Sequence, residues 1–165
     1  MKRVVIVRHA KAVPYGYHDD FHRDLQDRGK KDAKLVGKEL HKQEIEADAM
    51  ISSPAKRALK TARIIAKKIK FNKNDITQMN EIYEGLSTYE FLDIINKLPI
   101  EWNTVFFFGH NPGFHLLAGY LLSRYTEDMP TCATIGIDFD ENDWKNIKAH
   151  SGRMAFRIIP KMLKS

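Results

Sequence analysis

The chain has 165 residues, 43% of them apolar, a formal net charge of +6 and one cysteine. That length and apolar fraction fit one domain, residues 1–165, with a real core. They exclude a disordered low-complexity chain and, with no apolar run near the ~20 residues a bilayer requires, a spanning helix. The lone Cys132 excludes an intrachain disulfide and reads as a small, half-buried strand residue, not a nucleophile.

In chain order, Met1-Lys2-Arg3 leads into Val4-Val5-Ile6-Val7. The segment lacks an h-region and a small-residue cleavage site, so it reads as a first strand and not a signal peptide, and the protein as cytoplasmic. A continuous β-branched run of this kind fits a strand buried on both faces of a parallel sheet. Residues 11–25 form a polar, aromatic loop with Pro14 and Gly16. A helix is predicted from Asp27 to about Gln43, with Ala33, Val36 and Leu40 on its inner stripe, and a short strand over Asp48-Ala49-Met50-Ile51. Ser52-Ser53-Pro54 predicts an N-cap with proline at the first helical position. The helix that follows carries Ala55, Ala58, Leu59, Ala62, Ile65, Ala66 and Ile69 at helical spacing and ends at Asn72 to Asn74. A weak strand is expected near Ile76-Thr77-Gln78. Ser87 and Glu90 form a capping box for a third helix with Phe91, Leu92, Ile95 and Leu98 inward. Thr104 to Phe108 is a second fully buried strand, Gly109 to Gly113 a tight turn, and 114–124 a fourth helix. Two antiparallel strands are predicted over 132–139 and 147–159. The alternation of strand and helix predicts an α/β three-layer sandwich: a mostly parallel central sheet with helices on both faces.

Three clusters then fall at equivalent places. Arg8-His9 ends the first strand, Ser52-Ser53-Pro54 with Arg57 opens the helix after the second, and His110 follows the Phe-rich strand and Gly109. In a parallel sheet all three lie at the carboxyl edge, where ligands of open α/β sheets bind. Arginine offers a planar fork of donors matched to phosphate oxygens, and Arg57 lies in a first helical turn, whose free N–H groups favour an anion. Gly109 permits a sharp turn that points His110 back into the site. An unprotonated histidine is a competent nucleophile, nearby arginines disfavour its cation, and a hydrogen bond from its other ring nitrogen, for which a backbone carbonyl is the obvious acceptor, fixes the tautomer.

Arg8-His9-Ala10, Ser53-Pro54-Ala55-Lys56-Arg57-Ala58-Leu59-Lys60-Thr61-Ala62 and Gly109-His110-Asn111, in this order and spacing, resemble the histidine phosphatase superfamily over almost the whole chain. Within it the chain is most similar to the SixA-type phosphohistidine phosphatase branch. The superfamily pattern is usually Arg-His-Gly; Ala10 replaces the glycine, as often in SixA-like members. The resemblance implies a phosphoglycerate mutase-like fold and a metal-independent phosphatase without cofactor. In it His9 takes the phosphoryl group, and Arg8, Arg57 and His110 bind phosphate and the in-line transition state. Arg23 and Asn111 join the substrate-binding set. Two carboxylates match the role of acid: Glu84 in Ile82-Tyr83-Glu84-Gly85, with Glu81 nearby, from the wider superfamily, and Asp20 in the first loop from the SixA-like branch. The implied substrate is phosphohistidine on a partner protein or a small phosphorylated molecule, with inorganic phosphate as product.

Other readings stand beside this one. A phosphoglycerate mutase-like or small-molecule phosphomonoesterase shares the core motifs. Such enzymes usually carry a longer insertion than the stretch from Thr61 to Ser87 allows. A non-catalytic phosphate- or phosphopeptide-binding module is the reading from a different class. His18 and His22, four apart, could hold zinc on a helix but sit in a loop without the companion glutamate, so no metal is expected. They could instead shape the pocket mouth. Asp19 and Asp24 read as loop surface, His41 and His150 as surface, and His115 as packed on the fourth helix. The lysines are scattered along helix faces and no nucleic-acid motif appears, so neither nucleic acid nor membrane is an expected partner, and a monomer is.

Overall fold

A computed structural model describes residues 1–14, 16 and 19–164. The strands are β1 (Lys2–Arg8), β2 (Ala49–Ser52), β3 (Thr77–Gln78), β4 (Thr104–Gly109), β5 (Thr134–Phe139) and β6 (Arg153–Ile158). The helices are α1 (Asp27–Lys42), α2 (Lys56–Lys68), α3 (Asn80–Glu84), α4 (Thr88–Asn96), α5 (Gly113–Leu121) and α6 (Pro160–Leu163), with single 3-10 turns at Asp20–His22, Lys73–Asp75 and Trp144–Asn146. The strands form one sheet in the order β3-β2-β4-β1-β5-β6. β3, β2, β4 and β1 run parallel, β5 runs antiparallel to β1, and β6 antiparallel to β5.

The alternation of side chains along each strand divides the core in two. Val4 and Ile6 of β1, with Val105 and Phe107 of β4, face Phe91 and Ile95 of α4 and Phe114, Leu117 and Leu121 of α5. Val5 and Val7, with Phe106 and Phe108, face Val36 and Leu40 of α1 and Ala62, Ile65 and Ala66 of α2. Val4 to Val7 and Val105 to Phe108 are all wholly buried, as their unbroken apolar runs predict. The three-layer α/β sandwich is therefore present.

Several local expectations need correction. α2 begins two residues later than proline at its first position would put it: Ala55 is the N-cap, and Ser53 Oγ accepts the Ala55 N–H at 3.2 Å without capping the helix. α2 also stops at Lys68, and Asn72 caps the following 3-10 turn. A short helix, α3, precedes the predicted third one, whose Ser87–Glu90 capping box is present. α5 spans Gly113–Leu121 and not 114–124. The tail strands are shorter than expected: β5 starts at Thr134 and β6 spans Arg153–Ile158, with a 3-10 turn at Trp144–Asn146 in their connection. Cys132 is wholly buried in the turn before β5, at φ 62°.

At the amino edge of β1, Lys2 is wholly buried. Its Nζ donates to the carbonyls of Ile100 (2.5 Å) and Trp102 (2.7 Å) and to Asn103 Oδ1 (3.0 Å). Three oxygens arranged around one ammonium satisfy the donors of a buried cation.

Candidate active site

The carboxyl edge of the parallel strands gathers the three predicted clusters. The His9 amide donates to the Gly109 carbonyl at 3.0 Å and the Ser53 amide to the Phe108 carbonyl at 2.9 Å. The segments leaving β1, β2 and β4 are thus tied side by side. The ring centroids of His9 and His110 stand 5.4 Å apart. The close approach has a packing reason at Gly109, whose φ lies outside the left-handed region. A Cβ there would sit 2.5 Å from Phe114 Cζ and 2.9 Å from Ile82 Cγ2. Space, and not a special turn conformation, calls for glycine.

His9 is 8% exposed. Its Nδ1 lies 2.8 Å from the Ala10 carbonyl. A carbonyl can only accept, so Nδ1 carries the proton and Nε2 keeps its lone pair. Burial, chiefly, lowers the His9 pKa to about 4. The Ala10 hydrogen bond opposes that shift, while Arg57, Arg8 and Arg23 add to it. His110 is lowered to about 3, again mainly by burial, with Arg57 and His9 contributing. His110 Nε2 and Ser53 Oγ form a hydrogen bond of 2.7 Å. Both rings are neutral at physiological pH.

Arg57 is 5% exposed in the first turn of α2. Thr61 Oγ1, one turn on, donates to the Arg57 carbonyl (2.7 Å) and accepts the Ala10 amide (3.0 Å), which joins α2 to the segment that carries His9. Arg57 Nη1 donates to the Asp20 carbonyl (2.7 Å) and Nη2 to Asp20 Oδ2 (3.0 Å). The first-loop aspartate therefore occupies the anion-binding fork of this arginine. Arg23 Nε donates to Asp20 Oδ1 at 3.1 Å, and Tyr83 Oη to Asp20 Oδ2 at 2.8 Å. Desolvation pushes the Asp20 carboxyl upward, but the donors Tyr83, Arg57 and Arg23 outweigh it and hold it at about 2. Arg8 Nη1 and Asn111 Nδ2 both donate to the Met129 carbonyl, at 3.1 and 2.9 Å, and burial lowers the Arg8 pKa.

Arg8, His9, Asp20, Arg23, Arg57, His110 and Asn111 thus come together at this edge. Glu84 stands exposed at the last position of α3, outside the network around Asp20. Its neighbour Tyr83 enters that network instead, and packs edge-on against His110 (5.8 Å) and Phe21 (5.1 Å). Tyr83, Ser53 Oγ, Thr61 and the Met129 carbonyl are the participants that sequence reasoning missed. Tyr83 lies inside the Ile82–Gly85 segment, and Ser53 and Thr61 inside the Ser53–Ala62 motif. Nothing in a sequence marks a backbone carbonyl. His18 lies outside the described residues. His22 Nδ1 pairs with the Asp19 carboxylate at 2.8 Å. Among the described residues no three His, Cys, Asp or Glu side chains are grouped to hold a metal ion, and no helix is long and apolar enough to cross a membrane.

Among the described residues, buried Arg8 Nε, Arg57 Nε, His110 Nδ1 and Asn111 Oδ1 have no hydrogen-bond partner. Unsatisfied polar atoms are rare in folded proteins and collect at functional sites. A cavity of about 190 Å³ opens beside His110 and Asn111, against Tyr83 and Phe91. A groove of about 540 Å³, lined by Arg8, Asn111, His115 and Met129, lies across the Asn111–Pro112 segment. Two arginines and two neutral histidines around one point suit a tetrahedral oxyanion.

Comparisons agree with this geometry. The sequence pattern of the histidine phosphatase superfamily (branch 1) matches residues 4–113. The mitochondrial serine/threonine-protein phosphatase Pgam5 of Drosophila mojavensis is 36% identical over 84 residues, 51% of this chain and 29% of that protein. The match thus spans less than a third of that relative. Among solved structures, SixA from Agrobacterium tumefaciens superposes with a TM-score of 0.81 at 22% identity, covering 96% of this chain and 98% of that one. The protein histidine phosphatase SixA complexed with tungstate gives 0.77 at 20% identity, covering 98% and 99%. A mycobacterial glucosyl-3-phosphoglycerate phosphatase gives 0.68 at 14% identity, covering 93% and 97%. These likenesses establish the fold.

Proposed function

The chain belongs to the histidine phosphatase superfamily, and from that membership we propose that it is a phosphatase that removes the phosphoryl group from phosphohistidine on a partner protein, through a covalent phospho-His9. One observation carries the reading. His9 has its proton fixed on Nδ1 by the Ala10 carbonyl, and its pKa of about 4 keeps Nε2 unprotonated beside Arg8, Arg57 and His110.

In the first step the His9 Nε2 lone pair forms an N–P bond as the P–N bond of the substrate phosphohistidine breaks. Arg8, Arg57 and His110 hold the equatorial oxygens. The departing imidazole nitrogen takes a proton from Asp20. Asp20 is ionised while Arg57 and Tyr83 donate to it. A phosphoryl dianion that takes over the Arg57 fork removes the Arg57 donor and brings negative charge close, and both changes raise the carboxyl pKa. Water then attacks phospho-His9 and gives a proton to the Asp20 carboxylate as the N–P bond breaks, releasing inorganic phosphate, restoring the Asp20 acid and returning the His9 ring with Nε2 free. Arg23 and Asn111 hold Asp20 and the His110 segment in place. Glu84 is the alternative acid. An Asp20→Asn variant that keeps full turnover while Glu84→Gln loses it would move the role to Glu84. A protein histidine phosphatase of this fold is complexed with tungstate, a tetrahedral oxyanion, which is in keeping with the reading.

His9→Ala is expected to abolish turnover of phosphoimidazole and of a phosphohistidine peptide. Wild-type enzyme quenched in alkaline detergent should carry acid-labile phosphate on His9, read by mass spectrometry of the peptide at neutral to alkaline pH. Full activity in His9→Ala would end the proposal. A panel adding phosphoglycerate and sugar phosphates distinguishes the small-molecule phosphatase, and binding without turnover on every member the phosphate-binding module.

A further inference from the structure

We infer that the exposed face shared by α1 and α2 is a docking surface for an acidic segment of the phosphorylated partner protein. The inference rests on the function proposed above for the substrate's identity, and on separate residues for the surface itself. α2 contains Lys56, Arg57, Lys60, Arg63, Lys67 and Lys68 and no acidic residue. Lys56, Lys60, Arg63 and Lys67 recur at helical spacing, so they form one stripe along the helix. Arg57, in the same first turn as Lys56, belongs to the active site, so the stripe starts there. With a rise of ~1.5 Å per residue, Arg63 lies about 9 Å and Lys67 about 15 Å along the axis from Arg57. One interface of ordinary size spans that distance.

Asp24 of the first loop neutralises the near end of the stripe, with Lys60 at 2.8 Å and Lys56 at 3.4 Å. The far end has no such compensation. Arg63, Lys67 and Lys68 of α2, Lys34 of α1 and Lys73 rim a groove of about 620 Å³ over half-buried Ile64 and Phe71. Among the described residues none of these five cations has a carboxylate within ion-pair distance. Gly37 of α1 lets the two helices approach: a Cβ there would meet Lys68 Cβ at 2.7 Å. The Lys68 stem is thereby laid against α1 and its ammonium directed to the rim. Like charges crowded along a groove repel each other and are relieved by an anionic partner. An acidic protein segment is favoured over nucleic acid because the surface begins on the helix that holds Arg57. A single bound molecule must reach both the groove and a phosphorylated side chain in the site.

The test uses two synthetic peptides that carry the same phosphohistidine, one extended by six glutamates and one by six glutamines, with phosphoimidazole as small substrate. Wild-type enzyme should show a KM about tenfold lower for the glutamate peptide, an advantage that shrinks between 50 and 500 mM salt. Arg63→Glu/Lys67→Glu should erase the advantage and leave kcat/KM for phosphoimidazole unchanged. Equal KM values for the two peptides in wild-type enzyme, or an advantage that survives the double variant, overturns the inference. Fluorescence anisotropy with the unphosphorylated glutamate and glutamine peptides reads the surface without turnover, so an inactive protein that still prefers the glutamate peptide sinks the phosphatase reading and keeps the surface. A single-stranded oligonucleotide that binds more tightly than the glutamate peptide, and loses that binding in the double variant, overturns the assignment to protein.

Discussion

His9 and His110 refuse protons that the same side chains accept in an unfolded chain, and the refusal has a thermodynamic cost at low pH. An unfolded histidine protonates near 6.5, whereas the folded site holds His9 neutral down to about 4 and His110 down to about 3, in both cases chiefly through burial. Their folded pKa values are depressed, so the unfolded state binds more protons below pH 6.5. Stability is then complete above that pH and falls between pH 6.5 and 4, by about 1.4 kcal/mol per unit for each ring. Urea midpoints should decline from pH 7.5 to pH 5, and the decline should be shallower in His9→Ala. An unchanged wild-type midpoint would contradict the burial account. At this scale the sequence was legible where chemistry needs a particular side chain. Arg8, His9, Arg57 and His110 could be named from residue type and spacing, and a carbonyl partner for His9 from the need to fix its tautomer. Tyr83 could not, because a tyrosine beside a glutamate in a short segment offers no period and no pairing signal. The Met129 carbonyl, which holds both Arg8 and Asn111, has no side-chain identity at all.

Elements were legible in proportion to their length and burial. β1 and β4 announce themselves through unbroken apolar runs, and α1 and α2 through long inner stripes. α3 was missed because its five residues cover barely more than one turn, too little for a helical period. Yet α3 supplies two contacts that shape the site, Tyr83 to Asp20 and Ile82 to the space over Gly109. Gly109→Ala is accordingly expected to act on the junction of β4, α3 and α5. Its methyl must displace Phe114, near the start of α5, and Ile82, at an overpacking cost of about 1–3 kcal/mol. The variant should show a lower thermal midpoint together with reduced kcat on phosphoimidazole, since His110 is the next residue. A lowered midpoint with unchanged kcat would mean that the helices absorb the methyl without moving His110.

Across the whole molecule, the two edges of the sheet carry separate tasks. Lys2 satisfies three oxygens at the amino end of β1, about 20 Å of strand away from His9. Lys2→Met should therefore lower the unfolding free energy by about 3 kcal/mol for the acceptors left behind, read from urea unfolding, and leave kcat/KM unchanged. A parallel loss of activity would show that the edges are coupled. The alternation of elements made the sandwich legible. The contribution of the tail to the site was not, since the motifs all lie before it. The Arg8 amide donates to the Ala133 carbonyl, the Cys132 amide to that of His9, and β5 pairs with β1 along its length. A fragment ending at Gly113 would keep Arg8, His9, Arg57 and His110 but strip β1 of that partner. Val4 to Val7 would become an open, apolar sheet edge, a template for pairing between chains. Size-exclusion chromatography should find such a fragment in aggregates and not as a weak monomeric phosphatase. The motif-bearing part of this chain is thus shielded from self-association by a strand that carries none of the chemistry.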